Sequence, residues 1–77
     1  MFIQIRLLNG QVQQFDVEPT DKVIDLKIKL EEREAIAPEQ QRLIFSGKQL
    51  DDNKTFEEQK IGPGTQINLL LSLRGGF

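Results

Sequence analysis

The residues best placed for chemistry in this 77-residue chain are the last seven, Leu71-Ser72-Leu73-Arg74-Gly75-Gly76-Phe77. A hydrophobic run gives way to an arginine, two adjacent glycines and an aromatic residue. Glycine lacks a Cβ, so Gly75 and Gly76 make a backbone slim enough to thread a narrow channel and free to take φ values closed to other residues. Ordering such a pair carries a high entropic cost, so the expectation is a flexible tail that only a partner holds. The plain alternative is a frayed end without a role. Side chains elsewhere offer little chemistry of their own. The chain has no cysteine and no histidine, which removes thiol nucleophiles, disulfides, the usual general base and the commonest metal ligand. No nucleophile–base pair or metal cluster can be assembled from what remains, so the expectation is a chain that is not an enzyme, with no catalytic residues and no metal.

These tail residues must be carried by a small scaffold. Seventy-seven residues suit one domain with a core only just large enough to hold it. Hydrophobic residues at 38% and charged residues at 29% are ordinary for a globular chain and unlike a disordered one. A net charge of −2, without a basic run, makes nucleic acid an unexpected partner. Met1 to Arg6 lacks the pattern of a signal peptide, and Leu69-Leu70-Leu71 is too short to span a bilayer, so no membrane partner is expected. Cytoplasm and nucleus are the expected compartments.

Periodicity supplies the elements. Met1, Ile3, Ile5 and Leu7 alternate with Gln4 and Arg6, the pattern of a half-buried strand. Asn9-Gly10 predicts a hairpin turn made from positive φ angles, and Phe15 and Val17 continue the alternation on the returning strand, with Gln13 a polar flaw. Thr20 or Asp21 is the expected cap of a helix whose apolar stripe is Val23, Leu26 and Leu30, ending near Glu34 ahead of Ala37-Pro38. Lys27 falls inside that stripe. Its ammonium must either reach water along its stem or pair with a carboxylate, for which Asp52 is the candidate. A third strand over 40–45, a turn at Ser46-Gly47, a short strand over 48–50, a capping box in Thr55-Phe56-Glu57-Glu58 opening a helical turn, and a last strand over 66–72 complete the order. The result is an α+β domain over 1–72: one mixed sheet packed on one helix, the last strand beside the first.

The run from Pro38 to Leu50, Pro-Glu-Gln-Gln-Arg-Leu-Ile-Phe-Ser-Gly-Lys-Gln-Leu, and the ending Leu73-Arg74-Gly75-Gly76 resemble ubiquitin and its relatives, and the likeness extends from Met1 to Gly76. It implies the β-grasp fold. Glu18-Pro19-Thr20-Asp21-Lys22-Val23, Glu31-Glu32, Ser46-Gly47-Lys48-Gln49, Lys54-Thr55, Lys60-Ile61 and Gly64 look most like the cullin-conjugated, or neddylation, branch of these modifiers. Ser72 bears on the same choice. Ubiquitin carries an arginine at the matching position and the cullin modifier a small uncharged residue, and activating enzymes discriminate there. A charge must find a carboxylate or lose its hydration, so one position can separate partners. Two residues depart from the pattern. Gln59 stands where both relatives carry a tyrosine, removing a phenolic hydrogen bond, and Asn68 stands for a histidine.

The resemblance implies a substrate of conjugation. Gly76 would be exposed by a C-terminal hydrolase that removes Phe77, leaving 73–76 as the conjugation tail. Its carboxylate would be activated with ATP by a separate activating enzyme, and no cofactor belongs to the chain itself. It would then pass as a thioester to a conjugating enzyme and, with a ligase, be joined to lysines of targets such as cullins. Arg74 would steer the tail. Leu8, Ile44 and Leu70, all on turn or outward positions, would form an apolar patch rimmed by Arg42, Gly47, Lys48 and Asn68 and read by ubiquitin-like-binding domains. Singly exposed apolar residues are otherwise unremarked on protein surfaces. Ile36 with Leu71 and Leu73 forms a second candidate contact. Lys48 is the candidate acceptor for a further modifier, with Lys22, Lys27, Lys29, Lys54 and Lys60 the other amines, whereas Arg6, Gln11, Arg33 and Pro63 cannot accept one. A monomer is expected. Two other readings stay open: a divergent ubiquitin, and a non-covalent ubiquitin-like interaction domain.

Overall fold

Alternation builds the sheet. In β1 (Phe2–Arg6), Ile3 and Ile5 are buried and Phe2, Gln4 and Arg6 face solvent. In β5 (Gln66–Leu71), Ile67 and Leu69 are buried between exposed neighbours. The structure, a computed structural model, describes residues 1–72. The other elements are β2 (Val12–Asp16), α1 (Val23–Glu34), a 3-10 turn (Pro38–Gln40), β3 (Gln41–Phe45) and β4 (Lys48–Gln49). The strand order is β2-β1-β5-β3-β4, with β1 and β5 parallel and the other neighbours antiparallel. The last strand thus lies centrally beside the first, and the helix stripe of Val23, Leu26 and Leu30 is buried with the inner sheet residues in one core. This is the β-grasp arrangement. Each of these side chains gains about 1.5–3 kcal/mol from burial, so the sheet and helix depend on one another. Among the described residues no helix is long and apolar enough to cross a membrane.

Local chemistry departs from the simplest sequence reading at several joints. The first hairpin turn takes positive φ at Gly10 (+87°) but not at Asn9. Its loop is three residues long, closed by Gly10 N–H to Leu7 C=O (3.0 Å) and Leu7 N–H to Gln11 C=O (2.7 Å), with Asn9 Oδ1 accepting from Gln11 N–H (3.0 Å). Neither Thr20 nor Asp21 caps α1; the cap position is Lys22. Asp21 is engaged upstream, where its carboxylate accepts the Glu18 N–H (2.9 Å), and Asp25 reaches back to accept the Lys22 N–H (3.1 Å). Gln13 is half-buried because Arg33 lies across the gap: its Nη1 meets Gln13 Oε1 at 3.4 Å and its guanidinium lies 4.6 Å from the Phe15 ring centre.

The remaining segments follow their sequence signals more closely. Ser46 (φ 54°) and Gly47 (φ 80°) form the two-residue turn between β3 and β4. Thr55 and Glu58 exchange the bonds of a capping box, Thr55 N–H to Glu58 Oε1 (2.9 Å) and Glu58 N–H to Thr55 Oγ1 (3.1 Å). The segment then makes turns rather than a helix and stops at Lys60 in the left-handed region (φ 62°), with Phe56 and Ile61 buried. Lys27 pairs with Asp52, Nζ to Oδ1 2.7 Å, its own side chain 4% exposed and the carboxylate's 40%. The pair, and not a solvated ammonium, accounts for a lysine in the stripe.

Candidate functional site

Register decides which residues share a surface. On β3 and β5, Ile44 stands opposite Asn68 and Arg42 opposite Leu70, so Ile44 and Leu70 are diagonal neighbours on the outer sheet face. The turn after β1 carries Leu8 to the same place, and Leu8, Ile44 and Leu70 line one shallow depression together with Asn68 and Arg6. Leu8 and Leu70 are 51% and 48% exposed, and Ile44 is half-buried between them. Asn68 lies between Arg6 and Ile44 in the ladder. Arg42 reaches along the face to donate from Nη2 to Gln49 Oε1 at 3.2 Å. Among the described residues the ion pairs are Met1–Asp16 and Lys27–Asp52, so Arg6 and Arg42 carry charges that no carboxylate neutralises. The surface is an apolar centre with a polar, cationic border.

Gly47 and Lys48 sit at the end of this face rather than within it. Lys48 is exposed and opposite Phe45, whose side belongs to the inner face, whereas Gln49 is the residue opposite Ile44. Lys48 also lines a separate depression with Phe45, Lys54 and Lys60. Ile36 is half-buried against the core and borders a groove with Leu7, Leu8 and Leu69, while Leu71 is exposed where β5 ends. Ser72 is half-buried, and its N–H donates to the Gln40 carbonyl at 2.7 Å. Leu73, Arg74, Gly75, Gly76 and Phe77 lie outside the described residues. Among the described residues no group of three His, Cys, Asp or Glu side chains is placed to hold a metal ion.

Two glutamines have parts that their sequence positions did not announce. Gln59, in place of an aromatic residue, accepts the Asp51 N–H on Oε1 (2.8 Å) and donates from Nε2 to the carbonyls of Asp51 (3.1 Å) and Lys54 (3.4 Å). The phenolic hydrogen bond that the resemblance implies is absent, and a carboxamide bonds this loop instead. Gln41 is buried and donates from Nε2 to the carbonyls of Lys27 (2.8 Å) and Ile36 (2.9 Å). Its position on the inner side of β3 was the one signal available, since a polar residue in register with Leu43 must find partners inside.

A sequence model described as the ubiquitin family matches residues 3–74. The chain belongs to the ubiquitin family. It is 46% identical over all 77 residues, the whole of both chains, to a protein of Dictyostelium discoideum named ubiquitin-like protein NEDD8. It is 42% identical over 76 residues, 99% of each chain, to a NEDD8-like protein RUB1 of Saccharomyces cerevisiae. To ubiquitin-like protein 1 of Schizosaccharomyces pombe it is 43% identical over 76 residues, 99% of this chain and 97% of the relative. Within the ubiquitin family, then, this is a NEDD8-like chain.

Proposed function

We propose that this chain is a conjugatable modifier of the neddylation type. Its Gly76–Phe77 bond is cut by a C-terminal hydrolase, and the freed Gly76 carboxylate becomes an adenylate at the expense of ATP on a separate activating enzyme. Thiolates of that enzyme and of a conjugating enzyme then carry it as a thioester. Attack by a lysine amine, guided by a ligase, forms the isopeptide bond to a target, with cullins the expected class, in the cytoplasm and nucleus. The chain contributes no acid, base or metal to these steps. Its parts are a slim acyl terminus at Gly75-Gly76, reached through Leu73 and steered by Arg74, and a docking face at Leu8, Ile44 and Leu70 bordered by Arg42, Gly47, Lys48 and Asn68.

The observation that carries this reading is the end-to-end similarity to proteins named NEDD8 and NEDD8-like, without a gap of domain size on either side. The unneutralised border of the apolar patch fits it, because partners that bring apolar side chains ringed by acids bury the first and pair the second. Ser72 supplies the discriminating test. A neutral side chain there suits an activating-enzyme site that has no carboxylate for an arginine, and Ser72→Arg should cut loading by the neddylation activating enzyme while raising loading by the ubiquitin-activating enzyme. Equal loading of both forms by both enzymes contradicts the neddylation assignment. Conjugates whose mass retains Phe77 contradict the processing step.

A further inference from the structure

Asparagine is chemically labile, and Asn9 sits where that lability is least restrained. Asn9 and Gly10 are both exposed in the turn between β1 and β2, and a Cβ placed on Gly10 would meet nothing within 4 Å. Asn9 Oδ1 accepts the Gln11 N–H at 3.0 Å, which draws electrons from the carboxamide carbon, Cγ. The same bond folds the side chain forward along its own backbone, past the Gly10 nitrogen. Asn53 and Asn68, the other asparagines, are followed by Lys54 and Leu69, whose side chains crowd the backbone nitrogen. Asn68 is also fixed in the ladder between β1 and β3. Glycine offers no such screen. One restraint opposes attack: the Gly10 N–H donates to the Leu7 carbonyl at 3.0 Å. That bond belongs to an exposed turn, so a local opening frees the nitrogen without unfolding the sheet.

We propose that Asn9 is a site of spontaneous deamidation that remodels the docking face. Solvent hydroxide takes the Gly10 amide proton, and the nitrogen attacks Asn9 Cγ. The new N–Cγ bond closes a succinimide ring as the Cγ–Nδ2 bond breaks, and Nδ2 leaves as ammonia with a proton from water. Water then opens the ring. Cleavage at N–Cγ gives aspartate on an unaltered main chain. Cleavage at the Asn9 carbonyl carbon gives isoaspartate, whose main chain runs through Cγ and is one methylene longer. In sum, water is consumed, ammonia is released and an amide becomes a carboxylate.

Position gives the conversion its effect. Asn9 borders the groove that Glu34 and Ile36 also line, so the new carboxylate shares that groove with an acid already there. Leu8, the preceding residue, lines the depression shared by Ile44 and Leu70. The extra methylene of isoaspartate lengthens the loop closed by Leu7 N–H to Gln11 C=O (2.7 Å), and loop length sets hairpin geometry, so Leu8 is displaced from the patch. The chemistry at Asn9 is independent of the proposed function, whereas its consequence for docking rests on that reading.

The test holds the whole chain at mildly alkaline pH and follows the peptide containing Asn9-Gly10 by mass spectrometry, with electron-transfer fragmentation to separate aspartate from isoaspartate. Asn9 should convert before Asn53 and Asn68 and yield both products. Asn9→Gln, whose attack must close a larger ring, should keep its amide under the same conditions. In the isolated isoaspartate form, NMR should show faster exchange of the Leu7 amide and displaced Leu8 and Leu70 methyl resonances. Asn9→Asp, which adds the charge on a normal main chain, should leave the Leu7 amide protected. Asn9 intact after Asn53 or Asn68 has converted overturns the proposal. So does an isoaspartate form whose Leu7 exchange and methyl resonances match the parent's. A chain that an activating enzyme does not charge contradicts the conjugation reading alone, because the peptide map is read without any partner.

Discussion

At Lys27 an ammonium group lies among apolar side chains with Asp52 Oδ1 2.7 Å away. Removing the carboxylate leaves a buried charge alone, whereas removing the charge leaves a half-exposed carboxylate that water can serve. Asp52→Ala should therefore destabilise by about 2–4 kcal/mol and Lys27→Met by less, measured by urea unfolding. The reverse order would mean that the lysine stem, not the pair, matters most. Glu58 offers a titration test. The Thr55 amide holds its carboxyl below the usual glutamate range, followed by the Thr55 hydroxyl, with Lys54 and Lys22 adding to the effect and slight desolvation opposing it. Because folding lowers this pKa, its contribution is complete above the unfolded value and is lost as pH falls through the folded one. Glu58→Gln should flatten the acid limb of stability below the ordinary glutamate pKa, and an unaltered limb would remove the capping box as its cause. On the patch, Ile44→Ala should leave unfolding nearly unchanged and weaken binding of a patch-reading domain by about 1–3 kcal/mol. Calorimetric affinity equal to the parent's would show that the face is not a docking site.

At the scale of elements, backbone conformation does what side-chain pattern cannot. α1 ends at Ala35, which takes the left-handed conformation (φ 57°) while its N–H bonds to the Glu31 carbonyl at 2.9 Å. Glycine has no Cβ to strain there, so Ala35→Gly should stabilise the fold by up to about 1 kcal/mol despite the freer unfolded chain. A loss of stability would mean that the methyl group packs usefully. Alternation at Ile3, Ile5, Ile67 and Leu69, and the stripe of Val23, Leu26 and Leu30, made the strands, the helix and their mutual packing readable in the sequence. Joints were less readable, because competing partners decide them. Asp21 is a good capping residue, but its carboxylate is occupied by Glu18, and the helix starts one residue later. Asn9 tolerates positive φ, yet its side chain serves Gln11 and in this turn Gly10 alone takes the positive φ. Of the candidate site, the grouping of Leu8, Ile44 and Leu70 could be anticipated from outward positions. That Gln49, and not Lys48, stands opposite Ile44 follows only from the hairpin register.

Taken as a whole, the molecule is one five-stranded sheet with its last strand in the middle. β5 is central, paired with β1 on one side and β3 on the other, so the strand leading to the tail is held along both edges. The outer face of that sheet carries the apolar patch, and Ser72 departs from the end of the same strand. On the proposed reading, this scaffold delivers a Gly76 acyl group. Its most direct test is the intact mass of a purified neddylation activating enzyme after incubation with the chain cut to Gly76 and ATP. The prediction is an ATP-dependent adduct of one chain, released by excess thiol. No adduct with active enzyme, or an equal one after Gly75 and Gly76 are deleted, would contradict it.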